Sequence, residues 1–157
     1  MIVGIGFDLE DIEDFGRTLS QSGEPFLKRV YTEREVEYCE SQPHSGQSYA
    51  ARYVAKEAAM KALGIAGVDG LKWRDFEVVA TDGAPQLLLS GVAATAAKRL
   101  RVRRLSISLS HSRSTVGAVV VAEGTARAMG SRRISSKRSA KPKNVKDASP
   151  KNRRSRS

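Results

Sequence analysis

Residues 49–64 read YAARYVAKEAAMKALG. Six alanines, no proline and a single terminal glycine predict a helix, the longest helical signal in the chain, closing at Leu63–Gly64. Its charges need a separate account. Tyr53, Glu57 and Lys61 stand four apart and share one stripe, and Arg52 and Lys56 form a neighbouring stripe. Glu57 and Lys61 satisfy the i,i+4 rule for an ordinary surface pair worth about 0.3–0.5 kcal/mol. That account leaves three cations for one acid. It also ignores the glycines at 64, 67 and 70, where backbone can approach a ligand closely.

Outward from this helix the pattern alternates between short strands and helices. MIVGIGFD reads as a first strand closed by an acidic cluster (Asp8, Glu10, Asp11, Glu13, Asp14), with a helix following to about Ser20. Thr32 with Glu35 three residues on is a capping box, which predicts a helix over 32–41. QPHSGQ, residues 42–47, reads as a loop. Beyond the long helix, FEVVAT and PQLLLSG flank Asp82-Gly83-Ala84 as a hairpin, GVAATAAKRL is a short helix, and LSISLSH and TVGAVVVAE form a second hairpin. No solenoid repeat is present. The expected class is α+β, an antiparallel sheet with packed helices.

The formal charge of +10 belongs to one end of the chain. Residues 125–157 hold 12 of the 27 Lys and Arg and one of the 17 acids, leaving 15 cations against 16 acids in residues 1–124. The expected division is therefore a near-neutral domain over 1–124 and a disordered basic tail over 125–157, too poor in apolar residues to offset its ordering entropy. A nucleic-acid-binding reading draws on the tail alone, as weak contacts. It leaves the acidic N-terminal cluster and the charged helix unexplained, and it predicts salt-sensitive RNA binding that survives loss of Asp8 and Glu57. The one cysteine, Cys39, excludes an intrachain disulfide. With no histidine near it in sequence, it reads as a bystander. The start lacks the pattern of a signal peptide, and no apolar run reaches membrane-spanning length, so a cytoplasmic protein without membrane contact is expected.

Three elements carry chemistry. Asp8 follows Gly4-Ile5-Gly6-Phe7 on the strand face that it shares with the glycines. It reads either as a cap for the next helix or as a ligand for a hard cation such as Mg²⁺, which is commonly held by one or two carboxylates plus waters and phosphates. Glu57, Lys61, Arg52 and Lys56 supply a carboxylate and several cations. His111 ends LSISLSH on the face of Leu105, Ile107 and Leu109, beside Ser110, Ser112 and Arg113, which suits a core position or a donor to phosphate. No Walker loop, no GxSxG elbow and no Cys/His cluster occurs. The residues by themselves reach magnesium-assisted chemistry on a phosphorylated ligand.

GIGFDL near the start, ARYVAKEAAMKALG in the middle and SLSHS near the end together resemble the holo-acyl-carrier-protein synthases, the small bacterial type of 4′-phosphopantetheinyl transferase. The likeness covers about residues 1–124. It implies transfer of the 4′-phosphopantetheine arm of coenzyme A onto a serine of apo acyl carrier protein, with adenosine 3′,5′-bisphosphate as the other product. It implies Asp8 and Glu57 as the Mg²⁺ ligands, and Lys61 beside the phosphate as a catalytic residue with them. Arg52, Lys56, Lys61 and His111 are the implied coenzyme A contacts. It also implies the family's α+β fold, a homotrimer with active sites between subunits, and a basic surface for an acidic carrier. One departure concerns that surface: Asp14 stands where many members carry an arginine, with Lys28 and Arg29 as candidate replacements. The other is the basic tail, for which steering of the carrier is the expected role.

Overall fold

The computed structural model describes residues 1–125, so the tail beyond Thr125 lies outside the described residues. The elements are β1 (Ile2–Asp11), α1 (Ile12–Val30), α2 (Glu33–Glu40), α3 (Ser45–Leu63), β2 (Phe76–Val79), β3 (Gln86–Leu89), α4 (Gly91–Arg99), β4 (Val102–His111) and β5 (Thr115–Gly124). A short 3₁₀ turn, Trp73–Asp75, precedes β2. The class is α+β, as the sequence predicts.

Both expected hairpins form. β2 pairs with β3 alone, and β4 pairs with β5. The first strand joins the last, giving an antiparallel sheet of order β1-β5-β4 with Asp8 opposite Ala118. α3 lies across this sheet. Its alanines Ala55, Ala58 and Ala59 are fully buried, and they face Ala118, Val120 and Ala122 of β5 in one core. Small residues on both sides let helix and sheet pack closely.

The glycines of β1 complete this approach. A Cβ on Gly6 would lie 1.8 Å from the Ala58 carbonyl oxygen, and one on Gly4 1.9 Å from that of Ala62. The space beside Asp8 that the sequence suggests for a ligand is thus taken by the backbone of α3. Gly64 has a different reason: it caps α3 in the left-handed region at φ 64°, where a side chain is strained.

Several boundaries differ from expectation. β1 continues through the first acids to Asp11, because pairing with β5 extends that far. Asp11, not Asp8, caps the next helix, accepting from the Glu13 and Asp14 amides at 2.9 and 3.0 Å. α1 runs on past Ser20 to Val30, with a break at Gly23 (φ 58°) just before Pro25. The sequence signals a stop there, but Phe26 and Val30 bury against the core and carry the helix onward. α3 begins at Ser45, inside the expected loop, and β4 begins three residues before Leu105. The capping box on α2 is present as read, with Thr32 and Glu35 bonded reciprocally at 2.9 and 3.3 Å. Cys39 is fully buried, and burial pushes its thiol up to about 12, far from a reactive thiolate. Among the described residues no helix is long and apolar enough to cross a membrane.

Candidate active site

The close seat of α3 on β1 brings the two distant acids together in one protomer. Lys61, one turn after Glu57, donates to Asp8 Oδ1 at 2.5 Å and to the Phe7 carbonyl at 3.3 Å. Asp8 is largely sheltered, whereas Lys61 stays half exposed. Burial raises the Glu57 carboxyl above its ordinary range. Repulsion from Asp8 adds to this, Lys61 offsets part of it, and Glu10 contributes a further push. The Lys61 ammonium is held above its ordinary value chiefly by its hydrogen bond to Asp8.

Glu10 was not singled out in the sequence. It sits two residues beyond Asp8 on the same face of β1, and its carboxyl is raised by burial and then by Asp8. The strand's period of two is the signal that finds it. Tyr53 closes the same patch. Burial pushes its hydroxyl up to about 12, with Glu57, Glu10 and Asp8 adding to the effect, and its ring stacks on Trp73 at 4.7 Å.

This patch is short of positive charge: Asp8 and Glu57 share one lysine, and Glu10 adds a third negative charge nearby. The donor set is hard oxygen at the edge of solvent, which fits Mg²⁺. Among the described residues no three His, Cys, Asp or Glu side chains gather as a ready-made metal cluster. Two carboxylates with the remaining positions left to water and phosphate are the common protein share for this ion.

Arg52 lies on another side of α3. It is almost fully buried, its guanidinium stacks 4.0 Å over the Tyr38 ring, and one NH donates to the Ser48 carbonyl at 3.3 Å. Its Nε is buried without a partner. The side chain lines a cleft of about 430 Å³ with Tyr38, Val78, Thr81, Pro85 and Leu109. A buried cation with an unmet donor at a cleft is suited to an anion.

His111 is exposed at the end of β4. It shares a row across the sheet with Val116 and Glu10, on the order of 10 Å from β1 by strand spacing. It lines an open cleft with His44, Gln47, Ser112 and Arg113. His44, which the sequence left without a role, thereby joins the neighbourhood, and only the fold brings it there.

Lys56 is the correction. The sequence places it with the ligand, but the structure turns it into the core with no exposed surface. Its ammonium donates to the Val30 carbonyl at 2.7 Å, to Glu35 Oε2 at 2.6 Å and to the Trp73 carbonyl at 3.4 Å. All three donors are occupied by protein, so none is left for a phosphate.

With this geometry in place, comparison with known proteins is decisive. Residues 4–118 match the model of the 4′-phosphopantetheinyl transferase superfamily. The chain belongs to that family. It is 42% identical over 124 residues to the holo-[acyl-carrier-protein] synthase of Solibacter usitatus, covering 78% of this chain and 99% of that one. Among solved structures it is similar to the holo-[acyl-carrier-protein] synthase of Neisseria meningitidis, with a TM-score of 0.71 at 30% identity over 78% of this chain and 99% of the other. The synthase of Bacillus anthracis, solved in complex with CoA (3′,5′-ADP), gives 0.65 at 30% identity over 80% and 99%. As a phosphopantetheinyl transferase superfamily member, the chain has Asp8, Glu57, Lys61 and His111 all within the matched span.

Proposed function

We propose that the protein transfers the 4′-phosphopantetheine group of coenzyme A to a serine hydroxyl of apo acyl carrier protein, leaving adenosine 3′,5′-bisphosphate, with Mg²⁺ held by Asp8 and Glu57. The observation that carries this reading is the convergence of Asp8, Glu57 and Lys61 in one protomer of a chain from this family. Phosphoryl transfer asks a protein mainly to position groups and to neutralise charge. The ion would neutralise charge on the coenzyme A diphosphate. Asp8 and Glu57 would hold the ion, and the Lys61 ammonium beside Asp8 would supply positive charge to the phosphate. Arg52 would offer its guanidinium charge at the cleft, and His111 its ring, to the nucleotide phosphates. Neither lies in the carboxylate patch, so a bound nucleotide extends well beyond it.

The other face of the sheet supports an assembly of several copies. Ile5, Phe7 and Leu9 of β1 are each more than half exposed, with Val119 of β5 beside them. Among the described residues no element covers this apolar face, an arrangement that marks an interaction surface. It is the surface through which copies of the chain meet in a homotrimer, and a neighbouring copy there brings additional residues toward His111. A carrier protein and coenzyme A as substrates support a cytoplasmic location.

The test is incubation of the full chain with coenzyme A, Mg²⁺ and an apo acyl carrier protein, read by mass spectrometry of the carrier. The expected result is a phosphopantetheine-sized increase on one serine that disappears with a chelator. An unmodified carrier in the presence of folded enzyme overturns the reading. Phe7→Asp should convert the trimer to smaller species by light scattering, and a trimer that persists removes the sheet face as its interface.

A further inference from the structure

One buried charge pair remains outside the mechanism. Lys56 and Glu35 form an ion pair of 2.6 Å with neither side chain exposed at all. Bare burial of two charges is costly unless every remaining donor and acceptor is met. Here they are met. Glu35 Oε2 also accepts from the Thr32 amide at 2.9 Å, and Oε1 accepts from the Val78 amide at 2.9 Å. The other Lys56 donors go to the Val30 and Trp73 carbonyls. The network therefore ties together the end of α1, the start of α2, the middle of α3, the turn before β2, and β2 itself.

Each tie leads to a part of the site. Lys56 immediately precedes Glu57 on α3. Trp73 stacks on Tyr53, whose hydroxyl feels Glu57, Glu10 and Asp8. Val78 lines the cleft of Arg52. Five of the eleven buried α3 residues are alanines, and small methyl contacts define the rotation of a helix less sharply than directional hydrogen bonds do. A directional network at one point removes that freedom.

We propose that the Lys56–Glu35 pair is the positioning device of this active site. It sets the rotation of α3 and its seat against β2, and so aims Glu57 at Asp8 and Arg52 at its cleft. The inference rests on the reading of Asp8 and Glu57 as the metal-holding pair. The geometry makes the requirement strict. With side-chain ends about 5–6 Å from the helix axis, a rotation of about 10° moves a carboxylate by roughly 1 Å. A displacement of that order can cost about 100-fold in rate.

The test uses the full chain carrying Lys56→Met with Glu35→Gln, which removes both charges while nearly keeping side-chain volume. Glu35→Asp is measured alongside, since it retains both charges but shortens the tie by one methylene. Circular dichroism and a thermal melt report the fold. Turnover, KM for coenzyme A and the half-saturating Mg²⁺ concentration report the site. The expected result for folded variant is a fall in kcat of about 10- to 100-fold, with the half-saturating Mg²⁺ raised about tenfold. A purely structural pair would lower the melting temperature and leave kcat per folded molecule and the Mg²⁺ dependence within twofold of the parent, which overturns the proposal. Should the double variant not fold, Glu35→Asp decides by the same two readouts. Glu57→Gln separates the two levels of the argument. If it leaves the Mg²⁺ dependence unchanged, the metal assignment fails and this inference with it. If it shifts the dependence and the Lys56–Glu35 variants do not, only the positioning role fails.

Discussion

Adjacent residues of one helix, Lys56 and Glu57, do opposite things with their charges. Lys56 points into the core, where every donor has a partner and its counter-charge Glu35 has every oxygen occupied. Glu57 feels the charges of Asp8 and Glu10 on β1, and Lys61 offsets only part of that repulsion. The satisfied side holds the structure together. The unsatisfied side stores repulsion that a bound cation would relieve. Charge placement of the first kind needs burial and complete hydrogen bonding, and that of the second kind needs access to solvent and a shortage of partners.

The largest expected effect comes from breaking the satisfied side unevenly. Lys56→Met alone leaves the Glu35 carboxylate buried without its cation and should cost about 3–5 kcal/mol of stability, read by urea denaturation. A loss below about 1 kcal/mol would mean that Glu35 is solvated or protonated at little cost. Next comes the unsatisfied side. Glu57→Gln should lower turnover at limiting Mg²⁺ roughly 100-fold or more, beyond the 10- to 100-fold typical of losing a metal ligand's supporting contact. Full activity at low Mg²⁺ would remove Glu57 from the metal.

Gly6→Ala tests the seat that brings the two sides into register. Its Cβ would meet the Ala58 carbonyl oxygen, so α3 must lift, at about 1–3 kcal/mol in stability and with a drop in kcat. A variant equal to the parent in both would show that the helix seat is slack. The smallest effect has the reverse sign. Because burial and Asp8 raise the Glu57 carboxyl in the folded protein, its charged form costs stability at neutral pH. That cost vanishes once pH falls below the carboxyl's ordinary value near 4.5, where folded and unfolded forms are both protonated. Glu57→Gln should therefore melt slightly higher than the parent near pH 7 without metal, and the gain should shrink toward pH 4. A gain that grows on acidification would contradict the raised carboxyl.

Much of this was legible in the residues. The alanine-rich helix, both hairpins, the capping box and the α+β class follow from local rules. The resemblance pointed to the same acids that the fold then brought together. What escaped had specific causes. The stop signal of Gly23 and Pro25 hid the second half of α1, because burial of Phe26 and Val30 outweighs one local break. Lys56 looked like a ligand contact because a helical stripe shows which residues share a side but not what that side faces. Glu10 hid among five acids, although its spacing from Asp8 marked it.

The sequence alone determined which segments are helix and which are strand, though not every boundary, and which residues carry charge, since propensity, periodicity and capping act within a few residues. Only the tertiary structure decided that Gly4 and Gly6 receive a helix rather than a ligand, that Lys56 is sealed and Glu57 is not, and that Asp8 meets Lys61. Those outcomes depend on contacts between positions 17 to 58 residues apart, where burial and the supply of partners set what a charge can do.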